Sequence, residues 1–504
     1  MSKVTPKTLI RWLSLLAALT LCVAGFAGCG GPANPSSEAT SETGTTTAEG
    51  SDVTDPGDSM DPSADTTDPG ESSGGGDILR PTESDGGQKT TTTTLPQPTA
   101  PPTEVYDFLT EFPSELSGQT VTMLTWFAPD EVLLQQIEDF KAKTGITVKI
   151  EQTTWGLYTS RLASLVGSNM SPDIASIQPD WWPSLIINKF FQEITVGDFD
   201  LENDPAYDKF IMDRCSWGGK YYGVAVQNST WCNALHLLFY NKAIFQRKNL
   251  KTPTELWIEG NWNWDTYLDA AKALTGTVDG VNYYGTQVLP TTYMLSAGTD
   301  FVRFETTGDK TKIISNLNDP TLEMAWKFYI QTRSIDKVEP LSSADNAFLN
   351  GTLAMVVQED YMLLEGRGME KMTDPWGVVP FPSPKGQKET LAASVKIWGI
   401  PTGSKPQKAR AASYFIRYFL DPNTEVGGKK FISDEAEQVF LRACAMDKNA
   451  LLSLGTLSYN SDSDFWSLFS DVAYGEYDQV KTNLMANENK VNGIIEKLER
   501  TMSY

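Results

Sequence analysis

Hydrophobic and polar positions change their period several times along the chain, and each change marks a predicted element. The apolar run Val121–Phe127 predicts a strand that is buried on both faces of a sheet. Apolar residues on one face after Asp130, ended by Gly145, predict a helix. Alternation at 146–151 predicts a second strand, and a further helix leads to a third strand at 174–177. The order β-α-β-α-β is typical of a doubly wound α/β domain.

The N-terminus has the pattern of an export signal. Three basic residues precede a short apolar run that ends in small residues directly before Cys29. This arrangement resembles a bacterial lipobox, although Phe26 stands where that motif usually has Leu. We therefore predict a lipoprotein signal peptide over 1–28 and a lipid on Cys29, which would anchor the chain to the extracellular face of the cell membrane of a Gram-positive-type bacterium. An ordinary secretory cleavage near Ala27 is the alternative.

Residues 29–105 differ in composition from the rest of the chain. Between Gly30 and Val105 there are 14 acidic and 2 basic residues, and Ser, Thr, Gly and Pro supply most of the remainder. A segment of this kind buries too little apolar surface to offset the entropy lost on ordering. The sequence therefore predicts a lipidated Cys29 followed by a disordered linker, with the folded domain over 106–504.

Charge and residue counts exclude several functional classes. The chain carries a formal net charge of −23 without a basic stripe, which argues against nucleic-acid binding. His236 is the single histidine, so His-based triads and multi-histidine metal sites are excluded, and no calcium-loop motif occurs. We predict no metal and no cofactor. Cys215 and Cys232 are either a disulfide pair or free thiols on this reasoning.

Tryptophans follow each of the first three predicted strands. Trp126 ends the first strand and Trp155 follows the second, whereas Asp180, Trp181 and Trp182 follow the third. In open α/β sheets, ligands bind beyond the carboxyl ends of the strands. A single tryptophan is more often a packing residue, but several at one sheet edge favour a ligand-binding role.

Further motifs resemble a known family. They occur in the order FKAKTGITVKI, YTSRLASLVGSNMSPDIASI, GGKYYGVAV, YNKAIF, NWNWDTYLDAAKALT, AFLNGTLAMVVQEDY and WGVVPFPSPKG. Together they are similar to the family 1 extracellular solute-binding proteins of bacterial ABC importers, which include maltose- and oligosaccharide-binding proteins. The resemblance extends from Gln119 to Tyr504, and the stretch QNSTWCNAL looks longer than its counterpart in the maltose-binding relatives.

This resemblance implies an α/β, two-lobed, type II periplasmic-binding-protein-like fold with hinge segments, preceded here by the linker. Lobe 1 would comprise about 119–225 and 377–420, and lobe 2 about 226–375 plus part of the C-terminal helices. The hinge crossings would lie at GKYYGVAVQ and WGVVPFP. Closure on a ligand would then be a shift between existing conformations.

The resemblance also implies ligand-binding residues, because a sugar ring packs on an aromatic plane while its hydroxyls need polar partners. From the two lobes and the hinge these are Trp126, Asp180, Trp181, Trp182, Gln227, Tyr293, Glu359, Asp360, Tyr361 and Trp398. The indoles in ELWIEGNWNWD and the imidazole of His236 are interpreted as packing groups instead.

The implied function is capture of a mono- or oligosaccharide by a monomeric extracellular lipoprotein, which delivers it to the permease subunits of an ABC importer. We predict that the chain is not an enzyme. Polyols, glycerol phosphates and peptide-like solutes are alternative ligands, and a secreted glycosidase or a surface adhesin or sensor module is an alternative class. Because Glu359 and Asp360 are adjacent on a predicted strand, they would point to opposite faces, which disfavours a two-carboxylate glycosidase.

Overall fold

The computed structural model describes residues 108–109, 112–178, 181–194, 201, 204–340, 346–424, 430–451, 470 and 472–502. The predicted signal peptide, the predicted lipid site at Cys29 and the predicted linker lie outside these residues. Within the described part of the chain, no helix is both long and apolar enough to cross a membrane.

The chain alternates between strands and helices. The strands are β1 (Thr120–Thr125), β2 (Thr147–Gln152), β3 (Ile174–Ile177), β4 (Asn233–Asn241), β5 (Gly276–Val278), β6 (Val281–Tyr283), β7 (Val302–Thr307), β8 (Lys310–Ser315), β9 (Met355–Glu359), β10 (Trp376–Pro380), β11 (Leu391–Val395), β12 (Ile397–Gly399) and β13 (Lys448–Leu451). The helices are α1 (Glu131–Thr144), α2 (Tyr158–Gly167), α3 (Ser184–Ile187), α4 (Lys209–Arg214), α5 (Lys242–Arg247), α6 (Pro253–Ile258), α7 (Trp264–Leu274), α8 (Pro290–Ser296), α9 (Pro320–Ile330), α10 (Pro406–Leu420), α11 (Asp434–Ala445), α12 (Val480–Ala486) and α13 (Glu488–Met502).

The first sheet has the strand order β12-β3-β1-β2. Strands β2 and β3 run parallel to β1, with Met123 opposite both Ile150 and Ile174, and β12 is antiparallel to β3. The parallel arrangement follows from the helical connections, since α1 and α2 return the chain to the same end of the sheet. The β-α-β-α-β prediction for this part of the chain is confirmed.

The sequence signals at the ends of α1 act as expected. The Asp130 carboxylate accepts the backbone N–H of Leu133 at 2.9 Å and caps the first turn. At the other end Gly145 has φ +75°, and a Cβ there would lie 2.2 Å from the Ser117 hydroxyl. Only glycine therefore fits this left-handed cap without displacing the preceding turn.

The second sheet is built around β4, whose nine residues are all buried. Strands β9, β10 and β11 are antiparallel to β4, and β13 runs parallel to β11 at the edge. Strands β10 and β11 follow one another along the same side of β4, because β10 pairs with 237–241 and β11 with 233–235. Most of its residues are apolar, as burial on both faces requires, and its buried polar residues are Asn233, His236 and Asn241.

The chain passes between the sheets at two crossings, and it returns to the second sheet once more between α10, which packs on β1 and β12, and β13. In the first, Val224 pairs with Trp398 beside the first sheet before the chain enters β4. In the second, Lys396 alone separates β11 from β12, and its N–H donates to the carbonyl of Cys232 at 2.9 Å. The sequence-based placement of the second crossing at WGVVPFP differs from this arrangement, because that segment forms β10 and pairs with β4 in the second sheet.

Candidate functional site

Three half-buried indoles meet at the carboxyl edge of the first sheet. Trp126 follows β1, Trp155 follows β2, and Trp181 follows β3. The ring centroids of Trp155 and Trp181 are 4.6 Å apart, and Trp126 lies 5.3 Å from Trp155 and 5.8 Å from Trp181. The structure therefore brings together the indoles that the strand-end argument placed at one edge.

Tyr158 forms the base of this aromatic cluster. Its ring stacks on Trp181 with centroids 4.6 Å apart and planes 12° apart, and it is fully buried. The Tyr158 hydroxyl accepts the backbone N–H of Ser176 at 2.8 Å, which ties α2 to β3. Burial raises the pKa of Tyr158 well above its ordinary value, so the hydroxyl stays neutral. Sequence reasoning missed this residue, although its position three residues after Trp155 on a helix start was a usable signal.

The aromatic surface continues towards the first crossing through Trp231. Its ring lies 5.4 Å from Phe127 and 5.1 Å from Phe419 by centroid distance. Trp231 belongs to QNSTWCNAL, and sequence reasoning did not select it. It lies between the aromatic cluster and β4, so it lengthens the surface that a ligand can contact.

Two aromatic residues predicted to contact ligand on lobe 1 are core residues instead. Trp398 is 1% exposed, packs against Phe419 and donates its indole N–H to the carbonyl of Trp231 at 3.3 Å. Trp182 is 1% exposed and packs edge-on to Trp217. Neither leaves a ring face for stacking on a ligand, so both predicted ligand contacts are corrected to packing roles.

Tyr293 is a third correction. It is fully buried beneath the second sheet, where its hydroxyl donates to Glu339 at 2.7 Å and lies 2.9 Å from the hydroxyl of Tyr267. Burial raises the pKa of Tyr293 well above its ordinary value and that of Glu339 to about 7. This closed network of hydrogen bonds holds α8 against α7 and leaves no donor for a ligand.

Gln227 and Asp180 are two further residues predicted to bind ligand. Gln227 is exposed beside the first crossing, where its backbone N–H donates to Ala206 at 2.8 Å. Asp180 lies outside the described residues. The exposed amide of Gln227 therefore remains a candidate on position alone.

Glu359 and Asp360 bring carboxyl groups to the end of β9, beside the crossings. Asp360 is 1% exposed, and its Oδ1 accepts the N–H of Leu235 at 2.9 Å. Oδ2 of Asp360 and Oε2 of Glu359 are buried without a hydrogen-bond partner among the described residues. Burial raises the pKa of both groups, that of Asp360 to about 7, and the charge of nearby Lys396 opposes the rise. Tyr361 follows them and is half-buried.

Sequence reasoning also missed two amides near these carboxyl groups and the indoles. Gln178 follows β3, donates its side-chain N–H to the Ser176 hydroxyl, and keeps a buried carbonyl oxygen without a partner. Asn233 begins β4, and its side-chain oxygen is likewise buried and unpaired among the described residues. Buried polar atoms normally have partners, so unpaired acceptors beside the crossings indicate positions where a ligand or water donates.

His236 has a structural role, in agreement with its interpretation as a packing residue. Its ring nitrogens lie 2.8 Å from the Thr292 hydroxyl and 3.3 Å from the Ser394 hydroxyl. Burial lowers its pKa to about 4, so it is neutral at physiological pH.

Two cavities of the described chain are lined by other residues. The larger, about 510 Å³, is lined by Arg214, Asp300, Asn316 and Asn449 among others, and a second of about 410 Å³ lies beside α11. No predicted site residue lines either one. The candidate site is defined by the aromatic cluster and the unpaired acceptors.

Two α/β lobes, joined by crossing segments and carrying aromatic groups beside the joint, define a bilobal ligand-binding protein. The chain belongs to the family described as bacterial extracellular solute-binding protein, whose model matches residues 135–426, more than half of its length. This confirms the family resemblance found in the sequence. A comparison with curated proteins finds no match.

Solved structures agree with this assignment. An ABC substrate-binding protein from Listeria monocytogenes in complex with cycloalternan has a TM-score of 0.57 and 18% identity, over 74% of this chain and 99% of that one. A solute-binding protein from Thermotoga lettingae bound to α-D-tagatose gives 0.55 and 19%, over 75% and 100%. The cyclic α-maltosyl-1,6-maltose binding protein of Arthrobacter globiformis gives 0.57 and 17%, over 75% and 99%. The predicted two-lobed fold class is confirmed.

Proposed function

We propose that this protein is the extracellular substrate-binding component of an ABC importer and captures a carbohydrate between its lobes. The observation that carries the proposal is the cluster of three half-buried indoles beside buried acceptor atoms that have no partner among the described residues. Indole faces pack on the C–H faces of sugar rings, and unpaired acceptors suit hydroxyl donors. The names of the similar structures, which include cycloalternan, tagatose and cyclic α-maltosyl-1,6-maltose, support a carbohydrate ligand.

The proposed binding set combines surviving predictions with residues found in the structure. It consists of Trp126, Trp155, Gln178, Asp180, Trp181, Gln227, Trp231, Asn233, Glu359, Asp360 and Tyr361. The indoles would supply stacking surface, and the carboxyl and amide oxygens would accept hydrogen bonds from ligand hydroxyls. A ligand that lacks one of those hydroxyls would leave an acceptor unpaired, which is the source of specificity.

The location and assembly that we propose follow from the same role. A lipid on Cys29 would hold a monomer at the extracellular face of the membrane, within reach of the permease subunits. In this proposal the carboxyl groups of Glu359 and Asp360 bind the ligand and do not catalyse hydrolysis. Replacing Cys29 with Ser should release the chain from the membrane fraction, as immunoblotting of fractionated cells would measure.

A thermal-shift experiment tests the ligand class. The full chain in detergent would be heated with cycloalternan, linear maltodextrins and tagatose as separate probes. A probe at 100 times its dissociation constant should stabilise the chain by about 2.7 kcal/mol. Trp181→Ala should remove most of the shift. Trp257→Ala is the matched control, because that indole pairs with Glu389 and Arg442 away from the site.

The outcomes separate the alternatives. A shift with a sugar that Trp181→Ala removes and Trp257→Ala keeps would support the proposal. A shift with polyols, glycerol phosphates or peptides alone would overturn the carbohydrate ligand and leave solute capture in place. Release of reducing ends from a bound oligosaccharide would contradict the assignment as a non-enzyme.

A further inference from the structure

A short loop of the second lobe presents Arg367 between two glycines. Gly366 has φ +76° and Gly368 has φ +106°, conformations that residues with a Cβ rarely adopt. The carboxylate of Glu370 accepts the backbone N–H groups of both glycines, that of Gly368 at 3.0 Å. Backbone N–H groups that point at one carboxylate hold the loop in a defined conformation. The side chain between them, Arg367, is therefore held at the tip of this loop.

The loop is also fixed to the body of the second lobe. The N–H of Glu365 donates to Lys430 at 2.9 Å, and the N–H of Ile432 donates to Leu363 at 2.8 Å. These backbone hydrogen bonds hold the segment that leads to Arg367. The backbone of the loop that carries Arg367 is consequently attached to the second lobe.

Arg367 contacts the first lobe. Its Nη2 donates to Oδ2 of Asp130 at 3.3 Å, while Oδ1 of Asp130 caps α1 through the N–H of Leu133. The two side chains are 23% and 34% exposed. The Asp130 carboxylate therefore caps the N-terminus of a helix of the first lobe and also pairs with a loop of the second lobe.

Each residue of the ion pair lies a few positions along the chain from one half of the proposed binding set. Asp130 comes four residues after Trp126 at the end of β1, and Arg367 comes six residues after Tyr361 beyond β9. The Glu151–Arg161 pair, by contrast, lies within the first lobe at 2.7 Å and joins β2 to α2. Asp130–Arg367 is thus placed to couple the separation of the lobes to the geometry of the site.

We propose that Arg367 is a positioning residue of the binding site, which favours approach of the two lobes by pairing with Asp130. This inference rests on the proposed function for its effect on ligand affinity, but its effect on lobe separation needs no ligand. The pair is partly exposed, so the expected change in the ratio of near to separated lobes is about two- to fivefold. Salt should weaken it, because screening reduces the attraction between exposed charges.

The first experiment measures lobe separation without ligand. Genetically encoded spin labels at exposed Glu138 on α1 and Lys248 after α5 would report an interlobe distance distribution in the full chain. Arg367→Ala should shift the distribution to longer distances, and high salt should shift the parent chain in the same direction. Arg367→Lys should restore part of the short-distance population. Arg161→Ala, which breaks a pair within one lobe, is the control and should leave the distribution unchanged.

A double-mutant cycle provides the second readout. Asp130→Asn keeps an N-cap acceptor while removing the charge, so α1 should remain intact. Its effect and that of Arg367→Ala should not add in the double variant. Unchanged distances in Arg367→Ala, or full additivity, would overturn the proposal.

Ligand affinity distinguishes this proposal from the proposed function. With the sugar found in the thermal-shift screen, Arg367→Ala should raise Kd by at most about fivefold, because the gain in affinity cannot exceed the change in the competent population. If no sugar binds the parent chain but Arg367→Ala still separates the lobes, the proposed function fails and the positioning role stands. If sugars bind the parent chain but Arg367→Ala leaves the interlobe distances unchanged, only the positioning role fails.

Discussion

Aromatic side chains are concentrated in two regions of this molecule, and the contrast between them separates binding from packing. At the edge of the first sheet, Trp126, Trp155 and Trp181 touch one another but stay half-buried. Beneath the second sheet, Tyr267 and Tyr293 are fully buried with their hydroxyl groups paired. Aromatic rings contact one another in both regions, and what differs is the exposed ring surface.

The contrast also applies to adjacent residues. Trp181 and Trp182 follow the same strand, yet one ring joins the half-buried cluster and the other is 1% exposed against Trp217. Their responses to the same substitution should therefore differ in kind. Trp181→Ala should affect ligand binding, and Trp182→Ala should affect folding.

The largest expected effect is on stability at Trp182. Trp182→Ala removes a fully buried indole and should lower the free energy of unfolding by about 3–5 kcal/mol. Urea unfolding of the full chain, without ligand, measures it. Trp257→Ala, which is half-buried on α6, should cost less than about 1 kcal/mol. Equal losses in the two variants would contradict the packing role of Trp182.

Trp181→Ala should act on binding instead. Loss of a central stacking surface should weaken affinity by about 2–4 kcal/mol, measured calorimetrically with the sugar from the thermal-shift screen. The unfolding free energy without ligand should change less than in Trp182→Ala. Affinity equal to that of the parent chain would return Trp181 to a packing role.

Two buried carboxyl groups extend the comparison to pH. Burial raises the pKa of Glu339 to about 7 from an ordinary value of 4.5. Its contribution to stability is therefore fully present below pH 4.5 and is lost as pH rises through 7. The parent chain should lose roughly 3 kcal/mol more than Glu339→Gln over this interval, as urea unfolding at successive pH values would measure. Parallel pH profiles in the two chains would contradict this assignment.

Asp360 should behave differently because it lies beside the proposed ligand. Burial raises its pKa to about 7 as well. Its protonation changes an acceptor into a donor, so the pH dependence of sugar affinity between pH 5.5 and 8.5 should be altered severalfold by Asp360→Asn. Glu339→Gln should leave that affinity profile unchanged. Identical affinity profiles in the parent chain and Asp360→Asn would remove Asp360 from the binding set.

At the base of the aromatic cluster we expect a smaller effect than at Trp182 or Trp181. Tyr158→Phe keeps the stacked ring but leaves the buried N–H of Ser176 without its acceptor. This should cost about 1–3 kcal/mol of stability. Affinity should fall less than in Trp181→Ala, because the stacking ring remains. A larger loss of affinity than of stability would show that the hydroxyl acts on the ligand.

Local signals predicted much of the first lobe. The start of α1 near Asp130, its end at Gly145 and the buried strand near Val121 each depend on a few neighbouring residues, and the structure confirms all three. The meeting of three indoles followed from one topological rule about strand ends. These features could be predicted because each is decided by short-range sequence or by a general property of parallel sheets.

The second crossing could not be predicted in the same way. Both 376–380 and 391–395 are apolar strand patterns, and both pair with β4. Which of them precedes the return to the first sheet depends on pairing partners distant in sequence. The exposure of a side chain is equally hard to predict from sequence, because nothing in the local sequence distinguishes Trp181 from Trp182. The unpaired atoms of Gln178 and Asn233 are visible only after every neighbour has been placed.

The single-residue connection at Lys396 limits how the two lobes can move. With β11 ending at Val395 and β12 beginning at Ile397, the second crossing has no slack to lengthen, and the bond from Lys396 to Cys232 ties it to the first crossing. This tie holds the two crossings together at one point, which favours rotation of the lobes about it over their translation. An added residue here would turn every later side chain of β12 to the opposite face, so the length of this connection is as constrained as its chemistry.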